Sequence, residues 1–457
     1  MESNQDKKQL KRALGLGAAI SIVIGNVIGS GVFGLPSTLA QTSTPLVTVL
    51  AWITVGLGTT LIAMSYANLG TRIPKAGGPV VYAEAAFGPF AGFYVCWLWW
   101  IGSCIGNAAI VALILDNAAV FIPAITDFPI IHFLSATALI WFFTWVNFIG
   151  AKTAGWVSIV TTILKISVFI IFGIIALFHM HPEYLAQPSQ MVMDKSFGEM
   201  FIGAVALILW AFTGLEAATL IGGEIKEPEK NIRRSTILGI LSVSTIYVFV
   251  SLSIMLVYPQ DSLAVSSSPF ADAINAIFNT SIGGYIITGA ILISVIGALT
   301  GWFLTTARSS YAASVDGFFF KQFSKVHSKF RTPYVALIAS GLITNSLFVL
   351  GLFGNDETSP FNYIILMASL INLPTYISTV ASEWRLNKKE GRKMSPWFYV
   401  RTILALFVGI TFLSFALLQT WGTIPWYYWW FGVAFVVAGI PLYYFFRRGK
   451  EPKVAVE

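Results

Sequence analysis

The stretch Gly25-Asn26-Val27-Ile28-Gly29-Ser30-Gly31-Val32-Phe33-Gly34-Leu35-Pro36 interrupts the apolar run 13–37. Each glycine inside a helix costs about 1 kcal/mol relative to alanine, and a proline removes a backbone donor. Close helix packing accounts for Gly25 and Gly29, which stand in GxxxG spacing. It does not account for Gly29-Ser30-Gly31 followed by Gly34 and Pro36, whereas an unwound segment does. The amides of Gly29, Ser30 and Gly31 would then lie at the positive end of a half-helix, a backbone site for a carboxylate at the bilayer midplane. Gly29, Gly31 and Gly34 also spell a dinucleotide fingerprint, but that motif needs a preceding strand and a soluble βαβ unit. A run of this polarity offers neither.

The rest of the chain supplies the membrane. Charged residues make up 11% of the 457 residues and hydrophobic ones 56%, too little polarity to cover a water-soluble surface. A span needs about 20 apolar residues to cross the hydrocarbon core. Twelve runs qualify: 13–37, 46–69, 89–118, 131–150, 155–178, 198–221, 237–258, 282–315, 333–353, 361–384, 397–419 and 425–446. The expected organisation is a tail over 1–12, one transporter domain over 13–446 and a second tail over 447–457. The first run, long and preceded by a basic tail, is no cleaved signal peptide.

Charge placement orients the chain. With a cytoplasmic N-terminus, the basic residues of the tails and loops fall on the inner side, from Lys7, Lys8, Lys11 and Arg12 through Arg72, Lys75, Lys152, Lys226, Lys230, Arg233 and Arg234 to Arg401, Arg447 and Arg448. Lys195 alone falls outside. That asymmetry follows the positive-inside rule and puts both termini in the cytoplasm of a cell-membrane protein. The net charge of +7 is thus an orientation signal rather than a nucleic-acid surface. Cys96 and Cys104 lie too far apart on one span for a disulfide and read as packing residues. His132, His179, His181 and His327 are scattered, without metal-ligand or triad spacing, so neither a metal, a cofactor nor an enzyme is expected.

The sixth span carries a second interruption, Trp210-Ala211-Phe212-Thr213-Gly214-Leu215-Glu216. Gly214 permits a break whose freed carbonyls could receive an ammonium. A carboxylate inside a span costs about 2.5–3.5 kcal/mol on insertion scales, so Glu216 should face the bundle interior and act as a proton- or substrate-sensitive switch. Breaks in spans one and six sit at matching places of two five-span halves, about 13–178 and 198–384, the sign of an inverted repeat with its site between the halves. Two further helices, about 397–446, stand outside the repeat. The fold class is all-α integral membrane, with twelve helices and discontinuous helices 1 and 6.

Three motifs, Gly25 to Pro36, Phe212 to Glu216 with Glu224 to Asn231, and Ala307 to Gly317, resemble the amino acid–polyamine–organocation transporters. The likeness covers essentially the whole chain and is greatest to the bacterial basic amino acid/polyamine antiporters. It implies that Trp302 stacks on a cationic side chain, that Asn107 binds that side chain, that Glu216 senses protons and that Trp210 closes over the substrate. In this reading the carboxylate meets Gly29, Ser30 and Gly31, and the α-amino group meets carbonyls of Val27, Trp210 and Thr213. Ser103, one turn before Asn107, faces the same cavity, while Ser369 and Tyr376 line a rim, Tyr376 as a gate. Trp97, Trp99 and Trp100 read partly as interface anchors, Asp116 and Glu383 as interfacial, and Arg308 with Asp316 as a structural pair.

Lys165, midway along the fifth span, lies about 15 Å from either end and beyond easy snorkelling. The resemblance places it where sodium-coupled relatives hold an ion, bridging spans one, five and eight. The expected function is exchange of a basic amino acid for its decarboxylated amine, or for a related amino acid, by alternating access. The alternative is a sodium-independent neutral amino-acid exchanger or proton symporter built on Lys165. A receptor-like sensor would carry a longer soluble extension than these tails. The expected partners are a small amino acid or amine and the lipid bilayer, with a homodimer as the candidate assembly.

Overall fold

The computed structural model describes residues 14–29, 31–74, 77–149, 151–222, 225–317, 319–350, 352, 360–423 and 425–447, without the side chains of 151–160, 360, 422–423 and 446–447. Ser30, Lys75, Glu224 and the tail residues 1–13 and 448–457 therefore lie outside the described residues, as do the side chains of Lys152 and Arg447.

The apolar runs fold as helices: α1 (Leu16–Val27), α2 (Gly31–Thr42), α3 (Pro45–Arg72), α4 (Pro89–Ala118), α5 (Pro129–Ile149), α6 (Ala151–Phe178), α7 (Phe197–Ala211), α8 (Ala217–Leu220), α9 (Pro228–Val257), α10 (Ser281–Val315), α11 (Tyr334–Leu350), α12 (Pro360–Lys389), α13 (Pro396–Thr423) and α14 (Trp426–Arg447). Among the described residues, nine helices are long and apolar enough to cross a membrane, α1 with α2 forms a tenth span bent by 41°, and α7 and α11 are shorter apolar helices. Each coincides with one of the twelve expected runs, though the first extends to Thr42 and the sixth is cut at Ala211. Prolines at the first turns of α3, α4 and α9 start those helices where a missing N–H costs nothing.

Burial divides the bundle into an inside and a rim. The most apolar window of α4 is wholly buried and that of α12 is 72% buried, whereas those of α5 and α14 are 22% buried. Helices α4 and α12 are therefore the central posts, and the others present Phe142, Trp145, Phe407, Trp426 and Trp430 outward. Such a surface suits hydrocarbon and its interfaces.

Glycines set the close approaches. A β-carbon on Gly25 would stand 2.8 Å from Thr162 Oγ1, and one on Gly297 would meet the Thr161 side chain closer still, so α1 and α10 can touch α6 only because both positions lack a side chain. Gly239 likewise admits Val23 between α9 and α1.

Two expectations at the span ends are corrected. Glu383 is not interfacial and Arg401 is not a loop charge. Both are almost fully buried, with Arg401 Nη2 donating to Glu383 Oε2 at 2.6 Å and Asn68 Nδ2 donating to Glu383 Oε1 at 2.9 Å. A buried carboxylate requires such partners, and α3, α12 and α13 are tied together by supplying them. Arg308 and Asp316, by contrast, are both exposed, and no ion pair joins them among the described residues, so the expected structural pair does not form.

Candidate functional site: the two breaks and the face of α4

The first break begins where α1 ends. The Gly29 N–H turns back onto the Val27 carbonyl at 2.7 Å. Of the amides expected to meet a carboxylate, this one is engaged by its own chain. Gly31 opens α2, where first-turn N–H groups have no intrahelical acceptor. The carbonyls that α1 leaves behind are held from outside. Lys165 Nζ, fully buried, donates to Gly25 O at 3.2 Å and to Ile28 O at 2.5 Å. Removing an ammonium from water is expensive unless acceptors replace it, and two carbonyls of the break do so. These bonds join spans one and five; the approach to span eight runs through Thr161 against Gly297, one turn earlier on α6.

The second break runs from Phe212 to Glu216. Gly214 adopts φ +103°, a conformation that a side chain would strain. A β-carbon there would also lie 3.1 Å from Trp302 Cζ2 and 3.2 Å from the Asn26 carbonyl oxygen. Trp302 on α10 is thereby brought against both broken spans. The Thr213 N–H donates to Trp210 O at 3.0 Å, so one of the carbonyls expected to receive an ammonium already closes the turn.

Glu216 is fully buried, as expected, and two donors hold it. Trp99 Nε1 donates to Oε1 at 2.9 Å and the Tyr376 hydroxyl to Oε2 at 3.3 Å. Tyr376 therefore lies inside the bundle, not at a rim, and Trp99 is a partner of the buried acid, not an interface anchor. Trp97 and Trp100 are buried too, Trp100 Nε1 donating to Ser340 Oγ at 2.9 Å. A shallow cleft is lined by Cys96, Trp99, Leu220, Ala313 and Asp316 among others.

Helix α4 collects these elements on one face. Trp99, Gly102, Ser103, Gly106 and Asn107 recur at i, i+3, i+4, i+7 and i+8, a single helical stripe. Trp99 meets Glu216. A β-carbon on Gly106 would stand 2.5 Å from Trp210 Cη2, and one on Gly31 would stand 3.4 Å from Trp210 Cδ1. The Trp210 indole thus spans from the start of α2 to α4. Asn107 Nδ2 donates to Thr306 Oγ1 at 3.4 Å, and that hydroxyl donates to Trp302 O at 2.7 Å. Asn107 Oδ1 is buried without a donor among the described residues. Ser103 is buried on the same stripe, whereas the Ser369 hydroxyl is turned onto Ile365 O of its own helix at 2.9 Å.

One residue outside the expected set joins the two breaks. The Tyr247 hydroxyl on α9 lies 2.8 Å from Val27 O and 2.9 Å from Ala211 O. It has one proton to share between them. The sequence signal available was a tyrosine in the middle of the apolar run 237–258, which does not name its partners.

Known proteins can be compared with this arrangement. A family model described as amino acid permease matches residues 14–440. The arginine/ornithine antiporter of Latilactobacillus sakei is 30% identical over 419 residues, 89% of this chain and 86% of that protein. The arginine/agmatine antiporter of Chlamydia pneumoniae is 27% identical across 97% of this chain and 91% of its own. The serine/threonine exchanger SteT of Bacillus subtilis is 28% identical across 96% and 98%. The chain belongs to the amino acid permease family and is a multi-pass membrane transporter, not an enzyme.

Proposed function

We propose that this permease exchanges a cationic amino acid for its decarboxylated amine, or for a related amino acid, by alternating access. The substrate carboxylate would meet Ser30 and the amide of Gly31, which opens α2, and the α-ammonium the carbonyls near Val27 and Thr213. The side chain would extend past Ser103 to Asn107 and Trp302 under the Trp210 indole. The observation that carries the reading is Asn107 Oδ1, a buried acceptor without a donor, linked through Thr306 to the backbone of Trp302. An acceptor near an indole face suits an ammonium or guanidinium, since cation–π attraction contributes up to about 2 kcal/mol where water is excluded. Relatives whose names pair arginine with ornithine or agmatine support it.

Lys165 occupies the break with its Nζ on the Gly25 and Ile28 carbonyls, which supports exchange without sodium. The basic loops support a cell-membrane orientation with both termini in the cytoplasm. Proteoliposomes loaded with unlabelled arginine, ornithine or agmatine test the reading. Labelled arginine should enter only when a counter-substrate is inside. Equal uptake into empty vesicles sinks the exchanger, and exchange confined to serine, threonine or other neutral amino acids replaces the cationic substrate with a neutral one.

A further inference from the structure

We infer that Asn372 on α12 is a further specificity-determining residue, flanking the substrate's side chain where it passes Ser103. The inference rests on the reading of α4 as the wall of the substrate site. Asn372 is 97% buried in effect, with 3% of its surface accessible. Its Nδ2 has no partner among the described residues. A buried amide left unsatisfied costs about 1–3 kcal/mol, and such an orphan in a native structure calls for a ligand or an explanation.

Its position supplies the explanation. Asn372 and Tyr376 are four residues apart on α12 and share a face. Tyr376 touches Glu216, and the Asn372 carboxamide packs on Gly102, where a β-carbon would lie 2.4 Å from Oδ1. On α4 the order along the same stripe is Trp99, Gly102, Gly106. Trp99 touches Glu216, and Gly106 faces Trp210. Asn372 therefore stands in the layer between the buried acid and the indole, opposite the stripe that also carries Ser103 and Asn107. Gly102 is the enabling position, since any side chain there would expel the carboxamide from this layer. Pro374, two residues on, has no N–H and leaves the Leu370 carbonyl without its helical donor, so α12 is locally loosened beside the same layer.

A carboxamide can present either its nitrogen or its oxygen. It can therefore meet a hydroxyl, an amide or an ammonium, and it would tune which of these fits best beside Asn107. The layer sets Asn372 beside the side chain's path at the level of Gly102 and leaves the shared carboxylate and α-ammonium to the breaks.

The test is exchange in proteoliposomes by wild type, Asn372→Asp and Asn372→Leu, each near the native volume, with arginine, ornithine, serine and alanine as competitors of labelled substrate. Asn372→Asp should favour the cationic competitors over serine by about tenfold, the equivalent of about 1.4 kcal/mol. Asn372→Leu should weaken every polar side chain relative to alanine by a similar factor, with the maximal rate held within about threefold. Rank orders unchanged in both variants, or all four competitors weakened equally, overturn the inference, because a packing role cannot distinguish side chains. Wild-type protein that exchanges none of the four fails the proposed function itself, and is thereby told apart.

Discussion

The two broken spans answer the same problem in opposite ways. Where α1 gives way to α2, the carbonyls of Gly25, Val27 and Ile28 are met by donors brought from other helices, Lys165 from α6 and Tyr247 from α9. Where α7 gives way to α8, the break brings its own charge, and Glu216 is covered by donors from α4 and α12. The first break is thus a set of acceptors met by a lysine and a tyrosine from outside, and the second an acid met by two neutral donors. A cation that bonds only backbone carbonyls holds position. A carboxylate held by an indole and a phenol keeps acceptor capacity for both when it takes up a proton. Under the proposed function the first break would position substrate and the second would respond to it.

Lys165→Ala strikes this division hardest. It removes the donor to two buried carbonyls, and each buried acceptor left unmatched costs about 1–3 kcal/mol. Exchange should fall about a hundredfold or more while the protein still elutes as a folded species. Unimpaired exchange would remove Lys165 from the mechanism and leave the first break without its anchor. Glu216→Gln comes next. The carboxamide oxygen still accepts from Trp99, but no proton can be taken up or released. The rate should drop by tens-fold near neutrality, and its dependence on pH should flatten. A variant whose pH profile keeps the wild-type shape assigns proton sensing to another group and erases the contrast between the breaks.

How much of this was legible beforehand depended on how unusual each residue is in an apolar run. Glycines, one acid and one lysine inside spans stand out, because helix propensity and desolvation both argue against them. They located both breaks and both charges. The partners did not stand out. Trp99 is one of fifteen tryptophans and meets an acid 117 residues away. Tyr247 reaches Val27 across 220 residues, and no local pattern carries that information. Glu383 and Arg401 looked like span-end charges because their distance from the ends is short. What decides their burial is α13 lying beside α12, a fact of packing. Gly29 was misjudged in detail for a related reason: unwinding frees an amide only if the chain does not fold it back, and here it does.

Tyr247→Phe is a finer probe of the same contrast. It deletes one hydroxyl shared by Val27 O and Ala211 O, leaving both carbonyls buried with one donor fewer. A loss of about 1–3 kcal/mol follows from a buried polar group left unmatched. Because the hydroxyl joins the two breaks, affinity and maximal rate should both fall, together by about tenfold in kcat/KM. A change confined to thermal stability would make Tyr247 a packing residue and leave the two breaks mechanically independent.

Ser369→Ala should have the smallest effect, and its size is informative for that reason. The hydroxyl donates to Ile365 O, one turn back on α12, so it is satisfied inside its own helix. Its loss leaves a carbonyl that the helix already engages, and exchange should stay within about twofold of wild type, as for substitutions away from buried networks. Asn372, one turn along the same helix, has an orphaned nitrogen where Ser369 has a bonded hydroxyl. A tenfold, substrate-selective loss on Ser369→Ala would turn that hydroxyl toward the substrate and shift side-chain recognition outward along α12. Near-silence leaves it with the helix face that lies opposite Gly102.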